Sequence, residues 1–154
     1  METVEILTKN KFETMEIGEK ISKFLFPNSV ILLTGDLGAG KTTFTQGVAN
    51  GLGIKEKIIS PTFNILKCYF NDKLNLYHID AYRLENNNLD IGLDEFIDGD
   101  GTCLIEWPNY IKSLLPSECL EVKIINIGED SRKLIISANS EKYSGIVDFL
   151  IKGE

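Results

Sequence analysis

The chain has 154 residues, 43% of them hydrophobic and 25% charged, which is typical of a single globular domain with a sizeable core. Its formal net charge of −7 argues against direct binding of nucleic acid, because such binding usually needs a basic surface that neutralises phosphates. No apolar run approaches the roughly 18 residues of a membrane span, and the N-terminus has no signal-peptide pattern. We therefore predict one cytoplasmic domain over residues 1–154, whose cysteines lack the spacing of a zinc site or a disulfide framework.

The first predicted elements are a helix, a strand and a second helix. Residues 11–25 carry apolar side chains at mostly helical spacing, and Asn10 can cap that helix. Residues 30–34 (VILLT) are apolar almost throughout, which is typical of a strand that is buried on both faces of a parallel sheet. Residues 42–52 then have the pattern of a helix that ends near two glycines.

The remainder of the chain predicts two hairpins, separated by a helix and a strand and followed by a closing helix. Their ranges are 65–70 with 74–79 for the first hairpin, 89–97 for a short helix or an ordered loop, 102–106 for an apolar strand, 120–127 with 133–137 for the second hairpin, and an amphipathic helix from Ser140 onward. This order predicts an α/β domain with a mixed, mainly parallel sheet that carries antiparallel hairpins.

The segment GDLGAGKTTF at residues 35–44 matches the Walker A pattern GxxxxGK[ST] at every fixed position. Its glycines allow backbone N–H groups to face one anion, and the following helix directs its positive end at the same point. Lys41 can reach the β- and γ-phosphates, and the Thr42 hydroxyl can bind Mg²⁺. The segment predicts binding of a nucleoside triphosphate on a P-loop NTPase-like three-layer sandwich.

Hydrolysis also requires an acidic group near the metal, and two carboxylates stand where such a group is expected. Asp80 and Glu106 each follow a buried run at the end of a predicted strand. A carboxylate directly after a buried run is costly unless it meets a cation. Taken alone, a strand-end acid is more often a helix cap or a solvated group, but two of them beside a phosphate loop favour a metal site.

Other motifs are weaker. Residues 98–101 (DGDG) satisfy the loose DxxG pattern of GTPases, but no apolar strand leads into them, so we expect an exposed acidic turn. A usable NKxD motif is missing, which disfavours guanine specificity. His78 is more often structural than catalytic at such a position. Trp107 is equally compatible with a core anchor and with a contact near the nucleotide or a partner.

With these residues considered together, the chain resembles the TsaE family, also called YjeE, of small bacterial P-loop ATPases. The resemblance covers the chain essentially end to end and rests on four ordered segments, which are GDLGAGKTTF at 35–44, SPTF at 60–63, HIDAYRL at 78–84 and LIEWP at 104–108. The stretch around Arg132 and residues 137–138 is also similar. The family acts in the synthesis of threonylcarbamoyladenosine beside the tRNA anticodon.

The resemblance implies a role for each matching residue. The phosphates and the rest of ATP would be held by Asp36, Gly38, Ala39, Gly40, Lys41, Thr42 and Thr43, with adenine against Asn10 and Lys11 and with Arg132 near the nucleotide. Thr42 and Glu106 would bind Mg²⁺, and Asp80 would be the Walker B-like acid that orients a metal-bound or attacking water. Residues 60–62 would form a switch-like loop in which Thr62 senses the γ-phosphate. Arg83 would be structural or face a partner.

The resemblance also implies partners. TsaD would carry out the transfer in a heterodimer with TsaB, and the ATPase would dock on that pair and contact tRNA only indirectly. A P-loop small-molecule kinase is the alternative, but such kinases clamp phosphates with several arginines, and this chain has only Arg83 and Arg132. A non-catalytic nucleotide sensor is a third possibility, against which the paired acids Asp80 and Glu106 argue.

Overall fold

The structure is a computed structural model that describes residues 2–36, 38–61, 64–84 and 92–153. Its centre is a seven-stranded sheet with the order β1-β7-β6-β2-β5-β4-β3. The strands are β1 Glu2–Thr8, β2 Val30–Thr34, β3 Leu66–Tyr69, β4 Leu76–Asp80, β5 Thr102–Glu106, β6 Leu120–Asn126 and β7 Arg132–Ala138. The central strand β2 pairs in parallel with both β5 and β6, and β4 pairs in parallel with β5. The outer pairs β1–β7, β6–β7 and β3–β4 are antiparallel.

Helices cover both faces of the sheet. They are α1 Lys11–Ser22, α2 Lys41–Leu52, α3 Leu93–Ile97 and α4 Glu141–Lys152, with 3-10 segments over Tyr82–Leu84 and Pro108–Leu114. Apolar side chains of α1, α2 and α4 pack in one core with Ile31 and Leu33 of β2. The alternate residues Val30 and Leu32 face a second core, which contains α3 and the 3-10 segments. β2 is therefore buried on both faces, which explains why its sequence is apolar up to Thr34.

The phosphate loop lies between the central strand and α2, at the carboxyl ends of the parallel strands. Gly40 is the N-cap of α2 and has a φ of 101°, a left-handed conformation that glycine adopts without steric cost. Helix α2 packs so closely against α1 that there is no room for a side chain at Gly47. A Cβ atom there would stand 2.0 Å from the carbonyl oxygen of Met15. This contact fixes the helix that presents Lys41 at its first turn.

Most predicted elements are confirmed. β2 and β5 have the predicted bounds, both hairpins are antiparallel, and Asn10 caps α1 by accepting a hydrogen bond from the Glu13 N–H at 3.0 Å. Helix α1 ends at Ser22, earlier than predicted, because the next residues form tighter turns such as the bond from the Phe24 N–H to the Ile21 carbonyl. Residues 89–91 of the short helix or ordered loop predicted over 89–97 lie outside the described residues, and part of the remainder forms α3.

Strand β1 has no counterpart among the predicted elements. It runs antiparallel to β7 at one edge of the sheet, with Val4 and Ile6 partly buried against the core beneath α4. In the described part of the chain, no helix is long and apolar enough to cross a bilayer.

Candidate functional site

A cavity of about 520 Å³ opens where the carboxyl ends of β4 and β5 meet the phosphate loop. Its walls are formed by Gly38, Gly40, Lys41, Thr42, Thr43, Ser60, Asp80, Tyr82, Glu106, Trp107 and Arg132. Eight of the candidate site residues from the sequence are therefore brought together. This is the edge of an open α/β sheet at which ligands generally bind.

The two candidate acids are direct neighbours across parallel strands. Asp80 of β4 is in register with Glu106 of β5, and each is only 3% exposed although each lines the cavity. Two carboxylates that are withdrawn from water at such short range need cations or hydrogen-bond donors as partners. The arrangement therefore favours a cation in this cavity.

Glu106 has both kinds of partner within the chain. Its Oε2 accepts a hydrogen bond from Nε2 of His78 at 2.6 Å, and its Oε1 lies 3.6 Å from Nζ of Lys41. The His78 side chain is fully buried, and its Nδ1 has no hydrogen-bond partner among the described residues. His78 thus holds the Glu106 carboxylate from behind the cavity and does not line the cavity wall.

Asp80 is held by the chain that follows it. Its Oδ1 accepts a hydrogen bond from the Tyr82 N–H at 3.0 Å. Ser60 also lines the cavity, at the start of the predicted switch-like loop. Thr62 and Phe63 lie outside the described residues, so the predicted sensing role of Thr62 stays a prediction.

Lys41 is 7% exposed and is enclosed by an anion and an aromatic ring. Besides its contact with Glu106, its Nζ lies 4.5 Å from the centre of the Trp107 ring, a cation–π distance. The Trp107 ring contacts Tyr82 at 5.0 Å and lies parallel to Tyr110 at 6.0 Å. Of the two interpretations of Trp107, the structure therefore favours the position beside the phosphate loop.

Four other candidates lie around the cavity without lining its main volume. Ala39 is buried, and its N–H donates to the Asp36 carbonyl at 3.0 Å. Asp36 itself lines a neighbouring cavity of about 190 Å³, together with Lys41. The Asn10 side chain caps α1, and Lys11 lines a small recess of about 40 Å³ that also contacts Thr43 and Arg132. The predicted adenine site is thus adjacent to the phosphate loop.

Arg132 lies at the cavity wall, and the hydrogen bonds of its guanidinium lead mainly to backbone carbonyls. Nε donates to the Ala39 carbonyl at 2.8 Å, and Nη2 is 3.4 Å from the Gly38 carbonyl. Nη1 contacts carbonyls of the β6–β7 turn, of which Ser131 is nearest at 2.8 Å. This network could not be predicted from the spacing of the motif.

Two further sequence features have clear positions. The residues of the DxxG-like turn, Asp98 and Asp100, are exposed as expected, and Asp100 accepts a hydrogen bond from the Tyr77 hydroxyl at 2.7 Å. Tyr82 lines the cavity but was missed as a candidate, although its place inside HIDAYRL, two residues after Asp80, was a usable signal.

The model of the family described as "Threonylcarbamoyl adenosine biosynthesis protein TsaE" matches residues 8–134. The chain belongs to the TsaE family. This confirms the resemblance that the four sequence segments indicated, and the matched range includes the phosphate loop, both acids and Arg132.

Curated relatives support the TsaE assignment over most of the chain. The tRNA threonylcarbamoyladenosine biosynthesis protein TsaE of Bacillus subtilis is 45% identical to this chain. The alignment covers 93% of this chain and 90% of the relative. Its namesake in Treponema pallidum is 37% identical, covering 85% of this chain and 98% of its own. A crystal structure of YdiB from Bacillus subtilis superposes with a TM-score of 0.83 at 38% identity, covering 99% and 96% of the two chains.

The donor set of this TsaE-family cavity suits Mg²⁺ bound together with a nucleotide. Among the described residues, no group of three or more His, Cys, Asp and Glu side chains has the geometry of a metal site. A hard cation that binds with phosphates needs only one or two protein oxygens, because phosphate and water supply the remainder. The buried Glu106 carboxylate, which already has Lys41 as a cationic neighbour, fits that requirement.

Proposed function

We propose that the chain is a Mg²⁺-dependent ATPase that supports threonylcarbamoyl transfer to the tRNA adenosine beside the anticodon. In this proposal it works in the cytoplasm with the TsaB–TsaD pair and is not itself the transferase. The observation that carries the proposal is that the buried acids Asp80 and Glu106 share one cavity with Lys41 and Thr42 of the phosphate loop. Family membership supplies the pathway.

The first step is capture of the triphosphate by the phosphate loop. Backbone N–H groups of residues 38–43 and the positive end of α2 would hold the phosphates. The Lys41 ammonium would bind the β- and γ-phosphates as a point charge. Lys11 and Arg132 line the small recess next to Thr43, which supports an adenine site there, with Asn10 directly before Lys11 in the chain.

The Lys41–Glu106 contact suggests how the site accepts both ATP and metal. The buried Glu106 carboxylate has the Lys41 ammonium 3.6 Å away. When the triphosphate draws Lys41 towards itself, Glu106 would keep its hydrogen bond from His78 but lose its cationic partner, which is costly for a buried carboxylate. Glu106 and the Thr42 hydroxyl would hold Mg²⁺, and the bound ion would supply positive charge to the Glu106 carboxylate and the phosphate oxygens.

Asp80 is placed to act on water. It lines the cavity beside Glu106 and is oriented by the Tyr82 N–H. In the proposed mechanism it orients a metal-bound or attacking water, while Thr62 senses the γ-phosphate. Ser60 lines the same cavity, which makes the segment from Ser60 onward the proposed route by which the nucleotide state reaches TsaB–TsaD.

The decisive experiment measures phosphate release by purified protein with and without the TsaB–TsaD pair, as Mg²⁺ is titrated. We expect slow basal hydrolysis that rises with the partners. Glu106→Gln should lower the Mg²⁺-dependent rate by about a hundredfold or more, because a metal ligand contributes several kcal/mol to transition-state stabilisation. Glu121→Gln, which removes an exposed carboxylate of β6 outside the cavity, is the matched control and should hydrolyse normally.

Normal hydrolysis by a folded Glu106→Gln protein would refute the metal site. Transfer of phosphate to an added small acceptor would instead support the kinase alternative. A pull-down of TsaB and TsaD by this chain, with and without ATP, tests the partner proposal separately, and absence of capture in both conditions would contradict it.

A further inference from the structure

The guanidinium of Arg132 joins two segments that are far apart in the sequence, the phosphate loop and the β6–β7 turn. We propose that Arg132 is a positioning residue, which holds the backbone of the phosphate loop in its binding conformation. The consequence for ATP rests on the proposed function, whereas the effect on the loop does not. A positioning role for Arg132 differs from the role near the nucleotide that the family resemblance implies.

On the loop side, Arg132 binds consecutive carbonyl groups. Its Nε donates to the Ala39 carbonyl at 2.8 Å, and its Nη2 lies 3.4 Å from the Gly38 carbonyl. In a trans peptide unit the carbonyl and the next N–H point in opposite directions. Holding the Ala39 carbonyl towards Arg132 therefore turns the Gly40 N–H away from Arg132. Orientation of N–H groups is what a phosphate loop requires.

On the turn side, Nη1 has several acceptors within hydrogen-bonding distance. They are the carbonyls of Ser131 at 2.8 Å, Gly128 at 3.0 Å and Glu129 at 3.3 Å, together with Oδ1 of Asn126 at 3.2 Å. Nη1 has two hydrogens, so these contacts are shared, and they enclose one side of the guanidinium. The Asn126 Oδ1 also accepts from the Gly128 N–H at 3.1 Å, which stabilises the turn itself.

This use of donors requires arginine. The rigid planar fork can address acceptors on opposite sides at once, whereas a lysine ammonium on a flexible stem acts as a point charge. If Arg132 acted only through its charge on a phosphate, lysine would replace much of its effect. If it acts by bridging two backbone segments, lysine should fail nearly as completely as a neutral side chain.

Hydrogen exchange of the ligand-free protein tests the bridge without any nucleotide. We expect amide exchange over residues 38–45 to become about tenfold to a hundredfold faster in both Arg132→Lys and Arg132→Gln, the factor that corresponds to one lost charge-assisted hydrogen bond. Lys133→Gln is the matched control, because this neighbour on β7 pairs with Glu5 at 2.6 Å and does not line the cavity. Unchanged exchange in folded Arg132 variants would overturn the proposal.

Ligand binding provides the second test. If the loop loses its geometry, the affinities for ATP and for inorganic tripolyphosphate should fall by the same factor, about tenfold to a hundredfold, in both Arg132 variants. A loss of affinity for ATP alone, or normal affinity in Arg132→Lys, would show that Arg132 acts by direct contact with the nucleotide and would refute the proposal. Failure of the wild-type protein to bind ATP would contradict the proposed function and leave the exchange result valid. If the Arg132 variants do not fold, Asn126→Ala decides, and unchanged exchange in that variant refutes the bridge.

Discussion

Replacement of Gly47 by alanine tests the contact that sets the position of α2. A Cβ atom at this residue would lie 2.0 Å from the Met15 carbonyl oxygen and 2.8 Å from its carbonyl carbon. Both are backbone atoms of α1, so no side-chain rotation can relieve the clash. Gly47→Ala should therefore force the two helices apart, and with them Lys41 at the first turn of α2.

The expected cost follows from two opposing effects. Overpacking of a well-packed core costs about 1–3 kcal/mol, and this site belongs at the upper end because the opposing atoms are backbone. Alanine gains about 1 kcal/mol over glycine in helix propensity. We expect a net loss of about 2 kcal/mol in the free energy of unfolding, which corresponds to a fall in Tm of about 4–8 °C.

Gly145 provides a control of opposite sign. It is an exposed position in α4, and a Cβ atom there would meet no atom within 4 Å. Gly145→Ala should stabilise the protein by about 0.5–1 kcal/mol through helix propensity alone. Urea unfolding followed by circular dichroism measures both variants, and ATP binding reports on Lys41. If Gly47→Ala were as stable as Gly145→Ala, the conclusion that α1 and α2 leave no room for a Cβ atom at Gly47 would be refuted.

Two more predictions concern buried polar groups. Burial raises the pKa of Cys103 to about 12 from 9.0, so its contribution to stability should be complete below pH 9 and be lost as the pH rises towards 12. Cys103→Ala should therefore flatten the alkaline decline of the free energy of unfolding, measured in urea across that range, and an unchanged decline would contradict this assignment. Tyr143→Phe should lower the free energy of unfolding by about 1–3 kcal/mol in the same assay, because the buried Val30 N–H would lose its acceptor. That N–H donates to the Tyr143 hydroxyl at 3.0 Å. An unaffected variant would show that another acceptor replaces the hydroxyl.

The central part of the fold could be predicted because burial dictates its sequence. β5 is buried throughout and β2 is buried up to its last residue, and the apolar runs 30–33 and 103–105 show this directly. The convergence of Asp80 and Glu106 followed from the rule that parallel strands end at one edge of the sheet. Strand β1 was harder to predict, because it is a half-exposed edge strand whose partner β7 is remote in sequence, and the exposed Leu7 obscures its alternation.

The motif residues of the cavity could be predicted, but their mutual contacts could not. The His78–Glu106 hydrogen bond depends on strand register, which no local pattern specifies. The Arg132 network depends on a turn that meets the phosphate loop only in the folded chain. Such contacts are properties of tertiary geometry and not of spacing along the sequence.

The pairing of β1 with β7 has a consequence for how quickly the molecule can assemble. Thr8 and Arg132 are register partners 124 residues apart, whereas β6 and β7 are joined by a short turn. Loop-closure entropy favours formation of the local hairpin before the first strand docks, and such long-range contacts slow folding. The nascent chain must therefore extend beyond Arg132 before Thr8 can meet that residue, which makes this edge of the sheet a late-maturing part of the molecule.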